Sequence, residues 1–320
     1  MLFEVTLRGC ALPSILLHYA NERAQTRHVQ GVFRSFAWSP VDEGLILVGD
    51  GGRVVKLEEE RFINIMSGTC QNLRGISVNG TNGTILIVGN AGTVVQLDDG
   101  ANTARVSRLG SHNLRSASWN PSGTLALIAG NEGTLSTLSQ ETTQAIEGGR
   151  ANFRHIAWQP NTHFALVTSN CFAEEFIPSP NLFSYAAESK TLSPLNEGRA
   201  DLIGVDWRPD GTAAIVVGSD VIWHNGFVAM SDGRSLSPIE LPSKRVYPVA
   251  VSYNPRKQVV AIVTATAQPD AGEGILYLWN GKALQIIFRS KEFFFSAVAW
   301  NKEGTEIVAL GSSATRTFNC

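Results

Sequence analysis

The chain has 320 residues, 43% of them hydrophobic and 17% charged, with a formal net charge of −2 and a pI near 6.3. So balanced a chain carries no global positive field, and nucleic-acid binding driven by overall charge is excluded. No run reaches the roughly 18 uninterrupted apolar residues of a membrane span, so none is expected.

The opening stretch MLFEVTLRGCALPSILLHYA is apolar but has no basic start, is interrupted by Glu4 and Arg8, and precedes no small-residue cleavage site. It does not read as a signal peptide. The four cysteines, Cys10, Cys70, Cys171 and Cys320, form no CxxC pair and no metal-ligand spacing. They read as free thiols of a cytoplasmic protein, with Cys10 and Cys320 able to meet if the termini do.

Two strands are expected before the first repeat, Ser14–Tyr19 and Ala24–Gln30. In repeat one, Ser35–Trp38 alternates small and large residues and turns through Ser39, Pro40 and Gly44. Leu45–Val48 is continuously apolar, as a strand covered on both faces should be. A glycine turn over Gly49–Gly52 leads into Arg53–Leu57, and Arg61–Met66 is a fourth strand. The pattern returns as GTILIVGNAGTVVQL and GTLALIAGNEGTLSTL; the entry loop EGGRANF returns as NEGRADL. The two sequons in NGTNGT (Asn79, Asn82) read as a tight turn.

Seven anchors end the first strand of each repeat: Trp38, Val78, Trp119, Trp158, Trp207, Tyr253 and Trp300, spaced 40, 41, 39, 49, 46 and 47 residues apart. Units of this length with several short apolar strands predict an all-β fold, a seven-bladed β-propeller of four-stranded antiparallel blades over residues 1–320 as one domain. The anchor rings read as core packing between blades. After Trp300 only Glu306–Leu310 and a candidate Thr315–Asn319 remain, so N- and C-terminal strands together are expected to close the last blade.

The strand–turn signatures AWSP, SWNPSG, AWQP, DWRPDG and AWNKEG, each followed by an apolar strand, resemble those of the WD-repeat and WD-like propellers. The likeness covers nearly the whole chain in degenerate copies. The family's glycine–histidine pair is echoed by Gly110-Ser111-His112, and its tryptophan–aspartate pair by Trp279-Asn280. The resemblance implies a rigid platform for assembling other macromolecules, usually without catalysis.

An arginine stands four residues before the anchor in four consecutive repeats: Arg34, Arg74, Arg115 and Arg154. The later repeats have Ile203, Val249 and Ser296 there. Two readings stay open: a brace to the turns that carry Asp50, Asn90 and Asn131, or a basic arc at the channel entrance for a carboxylate or phosphate. The longer spacing of repeats four to six comes from insertions at Cys171–Asn181, Val221–Gly226 and Ala267–Gly274, on the same face. Phe172, Glu174, Glu175, Phe176 and Trp223 on those loops, with Tyr247, Phe293 and Phe294 on entry loops, are candidate contacts for a protein partner.

Motifs for catalysis are missing: no HExxH, GxSxG or GxxxxGK[ST] occurs, and the six histidines lack ligand spacing. His155 and Asp206 are the exceptions among small inner-strand residues. No cofactor or metal is expected, and an enzyme less than a binding protein. The reading is a protein-interaction scaffold working through its loop-rich face. The alternative is a propeller that binds a sugar or anionic small ligand, or a divergent hydrolase or lyase, at an axial site.

Overall fold

The computed structural model describes residues 14–58, 60–98, 104–139, 142–170, 178–220, 225–242, 246–265, 273–291 and 293–313. These form seven four-stranded antiparallel sheets, the blades of a propeller. The only helical element among them is a single 3-10 turn at Asp50–Gly52, so no helix is long and apolar enough to cross a membrane.

Within each blade, burial falls outward from the second strand. Leu45–Gly49, Ile85–Gly89 and Ala126–Gly130 are buried at every position, whereas the outermost strand Arg61–Met66 is exposed at five of its six. Alternation explains why the second strand has no polar face. Leu45 and Leu47 pack toward the preceding blade with Leu16, Val308 and Leu310, while Ile46 and Val48 pack toward the next with Leu73, Ile85 and Ile87. Seven such clusters occur, one at each junction between neighbouring blades.

Each anchor side chain enters the cluster shared with the preceding blade. Trp158 and Trp207 also donate their indole N–H to the backbone carbonyls of Ser118 (2.9 Å) and Ala157 (3.2 Å) in that blade. The residue before the anchor adds a second tie in three blades: Ser77, Asp206 and Ser252 accept the backbone N–H of Trp119, Tyr253 and Trp300. On the same face, side-chain amides of Asn79, Gln159 and Asn254 donate to the carbonyls of Gly123, Gly211 and Gly304 one blade on.

The last blade is built from both ends of the described chain. Its order from the axis is Phe293–Trp300, Glu306–Ser313, Ser14–Ala20 and Arg23–Val29. Ser14–Ala20 pairs along its length with Glu306–Ser313, and Leu16 opposes Leu310. Both N-terminal strands are used, so the blade is full without the expected Thr315–Asn319, which lies outside the described residues. The same holds for Cys10, Cys171 and Cys320; Cys70 is exposed and free.

Removing residues 1–30 should abolish cooperative thermal unfolding, since the ring opens and two interblade clusters lose their cover. Leu17, fully buried between blades six and seven, gives the milder test. Leu17→Ala should lower stability by about 2–5 kcal/mol in denaturant titration.

Candidate functional site at the channel mouth

Seven inner strands surround the central channel, and all seven carry the same irregularity. The pairing with the second strand slips at the residue four before the anchor, at Arg34, Arg74, Arg115, Arg154, Ile203, Val249 and Ser296 in turn. A bulge re-aims the side chain it displaces. Here all seven line one cavity of about 250 Å³ at the channel mouth. In five blades a glycine of the second strand stands beside the bulge, and in blades four and six Ser169 and Thr264 do; a Cβ on Gly49 would run into the carbonyl oxygen of Val32, and one on Gly89 into that of Asn72.

The four guanidiniums are braced, but unequally. Arg34 makes a bidentate pair with Asp50, Nε to Oδ1 at 3.1 Å and Nη2 to Oδ2 at 2.6 Å. Arg74 donates Nε to Asn90 Oδ1 at 3.1 Å, and its Nη1 lies 3.7 Å from Asp50. Arg115 donates Nε to Asn131 Oδ1 at 3.2 Å, and Arg154 reaches that same oxygen with Nη1 at 3.5 Å. Spacing alone would pair Arg154 with Asn170, whose Oδ1 has no partner among the described residues. The brace is therefore real, yet Arg115 holds a neutral amide, whereas Arg154, on the same amide oxygen, also has the Asp201 carboxylate near it.

Electrostatics follow from that inequality. Burial lowers the pKa of Arg74, Arg115 and Arg154, and the Asp50 carboxylate beside Arg74 and the Asp201 carboxylate near Arg154 act in opposition. For Arg115 the neighbours add to the strain, because Arg154 and Arg74 on either side repel its charge. Arginine remains protonated at any physiological pH. The result is three crowded cations with Arg115 at their centre.

Sequence reading missed the asparagine two residues before the arginine in three blades. Asn72, Asn113 and Asn152 each accept, at 2.9–3.0 Å, a backbone N–H of the preceding blade's turn, from Gly51, Ala91 and Glu132. The triplets Asn-Leu-Arg, Asn-Leu-Arg and Asn-Phe-Arg carried the signal. Asparagine fixes the arc from blade to blade, and arginine fixes it within the blade.

Among the other candidates, Tyr247 and Phe294 sit half-buried at the arginine end of blades six and seven but do not line the cavity. Against the expectation of entry loops, all three lie in inner strands: Tyr247 opens that of blade six, and Phe293 and Phe294 begin that of blade seven. Phe172, Glu174, Glu175, Phe176 and Trp223 lie outside the described residues. The strands flanking their insertions, ending at Asn170 and Asp220, do finish on the arginine face.

Further along the channel stand His155 and Asp206, which also line a cavity of about 500 Å³ toward the opposite end. His155 is exposed to the lumen, and the protein surrounding that lumen lowers its pKa; a hydrogen bond to the backbone of Val205 opposes the shift. Burial pushes the Asp206 carboxyl up to about 7, against the backbone N–H groups of Tyr253 (2.7 Å) and Trp207 (2.9 Å). Among the described residues no three His, Cys, Asp or Glu side chains gather closely enough to hold a metal ion.

No family model matches the chain, and no curated protein matches it in sequence. Solved structures do. The hydrazine synthase of Kuenenia stuttgartiensis superposes with a TM-score of 0.69 at 11% identity, over 86% of this chain and 91% of that one. The Cps50 (Swd1) β-propeller domain of Myceliophteria thermophila gives 0.66 at 13% identity, over 88% and 96%. At such identities the likeness establishes the propeller fold, which hosts unrelated activities. The resemblance to WD-repeat propellers thus holds at the level of the fold.

Asp206 yields a pH prediction. The folded protein holds this proton more tightly than the unfolded chain, whose carboxyl titrates near 3.8. Its contribution to stability is therefore full below that value and is lost as the pH rises through about 7. Asp206→Ser keeps an acceptor for Tyr253, as Ser77 and Ser252 show in their blades, but has nothing to titrate. Denaturant titrations at about pH 5 and about pH 8 should show the wild type losing about 1–3 kcal/mol more than the variant.

Proposed function

We propose that this protein is a non-catalytic binding module that docks a partner protein on its arginine face and anchors it through a carboxylate or phosphate at the channel mouth. One observation carries the reading: Arg115 stands between two further guanidiniums, and the acceptor it holds is an amide. A bound oxyanion would relieve that repulsion and pair with donors already held in place, at little cost in ordering. The strands that flank the insertions of blades four to six end on this face, and Tyr247 and Phe294 lie at the same end, which supports a macromolecular partner around the anchor. Extra loop length adds only slowly to closure entropy, so a propeller tolerates such loops.

The reading is tested with a labelled hexaglutamate peptide as the anionic probe and hexalysine as its control. Wild-type protein should bind hexaglutamate only, more weakly as salt rises. The double variant Arg74→Ala, Arg115→Ala should lose at least about tenfold in affinity, because two charge-assisted contacts go. Were the arginines braces alone, the variant would unfold about 1–3 kcal/mol more easily and bind as before. That second outcome overturns the proposal.

A further inference from the structure

The seven bulged positions divide the mouth into two unlike halves. Blades one to four present arginine; blades five and six present Ile203 and Val249, and blade seven Ser296. In a ring of seven, the point opposite blade two falls between blades five and six. Arg74 thus faces the gap between Ile203 and Val249 across the axis, and Arg115 faces the gap between Val249 and Ser296. Backbone and bulge are the same all round, so only the side chains make the difference.

We infer that the mouth selects an oxyanion bearing an apolar group, the charge seated on Arg115 and its neighbours and the apolar part laid against Ile203 and Val249. The inference rests on the anion reading above and deepens it. A bare inorganic anion would leave the Ile203–Val249 wall uncovered. A neutral apolar molecule would leave the cations repelling one another. At about 250 Å³ the cavity accommodates one small ring with its charged group and little more. Apolar wall and charge also reinforce each other, since excluding solvent from one side strengthens the ion pair on the other. Such a group is offered equally by a free aryl phosphate or carboxylate and by a modified aromatic side chain of a partner.

The test uses inorganic phosphate, phenyl phosphate, benzyl alcohol and a short peptide with one phosphotyrosine, titrated calorimetrically into the full chain at fixed ionic strength. Phenyl phosphate should bind at least about tenfold more tightly than phosphate, the gain expected from covering one face of a ring, and benzyl alcohol should not bind. Arg115→Gln should remove binding of both phosphates. Ile203→Ser places at the bulge a residue that blade seven already carries there; it should cost phenyl phosphate its advantage and leave phosphate unchanged. Equal affinity for the two phosphates in the wild type, a measurement needing no variant, overturns the inference and leaves the anion reading standing. Binding that survives Arg115→Gln places the site elsewhere and overturns it too. Failure of every anion to bind overturns the reading itself. A peptide tighter than phenyl phosphate identifies a protein source; equal affinity identifies a free small acid.

Discussion

Everything in this molecule depends on the second strand of each blade being buried on both faces. A strand whose odd and even side chains are equally apolar needs cover on two sides, and only a neighbour on each side supplies it. Leu45 and Leu47 look one way while Ile46 and Val48 look the other. Repeated seven times, that demand has one solution without exposed apolar faces: a ring in which every blade covers two others. The core is accordingly seven layers between blades, with no single centre, and the axis is left as a channel.

Closure by strands from both ends follows from the same demand. Leu16 belongs to the layer shared with blade one, and Leu17 to the layer shared with blade six. One strand from the beginning of the chain therefore completes two layers at once. The anchors contribute in kind, each entering the layer behind it, with Trp158 and Trp207 adding an indole hydrogen bond across the junction. Polar ties on both faces, through Asn72, Asn113 and Asn152 at one end and Asn79, Gln159 and Asn254 at the other, fix the rotation of one blade against the next.

Against this regular scaffold the departures stand out. The bulge delivers one side chain per blade to the channel mouth regardless of its identity, so the mouth's chemistry is free to vary while the fold is constant. Four arginines in succession, then isoleucine, valine and serine, make it cationic on one side and apolar on the other. Asp206 is a second departure, a carboxyl where blades two and six use serine for the same interblade bond. Both change the channel's charge at positions where the fold asks only for a side chain or an acceptor.

The sequence by itself determined the number of blades, the anchors, the second strands and the need for the N-terminal strands, because each rests on local patterning: spacing, alternation and a shortage of strands after Trp300. It also marked the arginines as a set, since they recur at a fixed offset from the anchor. Tertiary structure alone decided what that set does. The bulge that turns Arg115 toward the axis, the sharing of Asn131 by Arg115 and Arg154, and the position of Ile203 and Val249 opposite the arginines join residues 16 to more than 100 positions apart. The bulge and the Arg115–Asn131 bond belong to one repeat, but the sharing with Arg154 and the facing of Ile203 and Val249 arise only where separate blades meet around a common axis, and no single repeat encodes them.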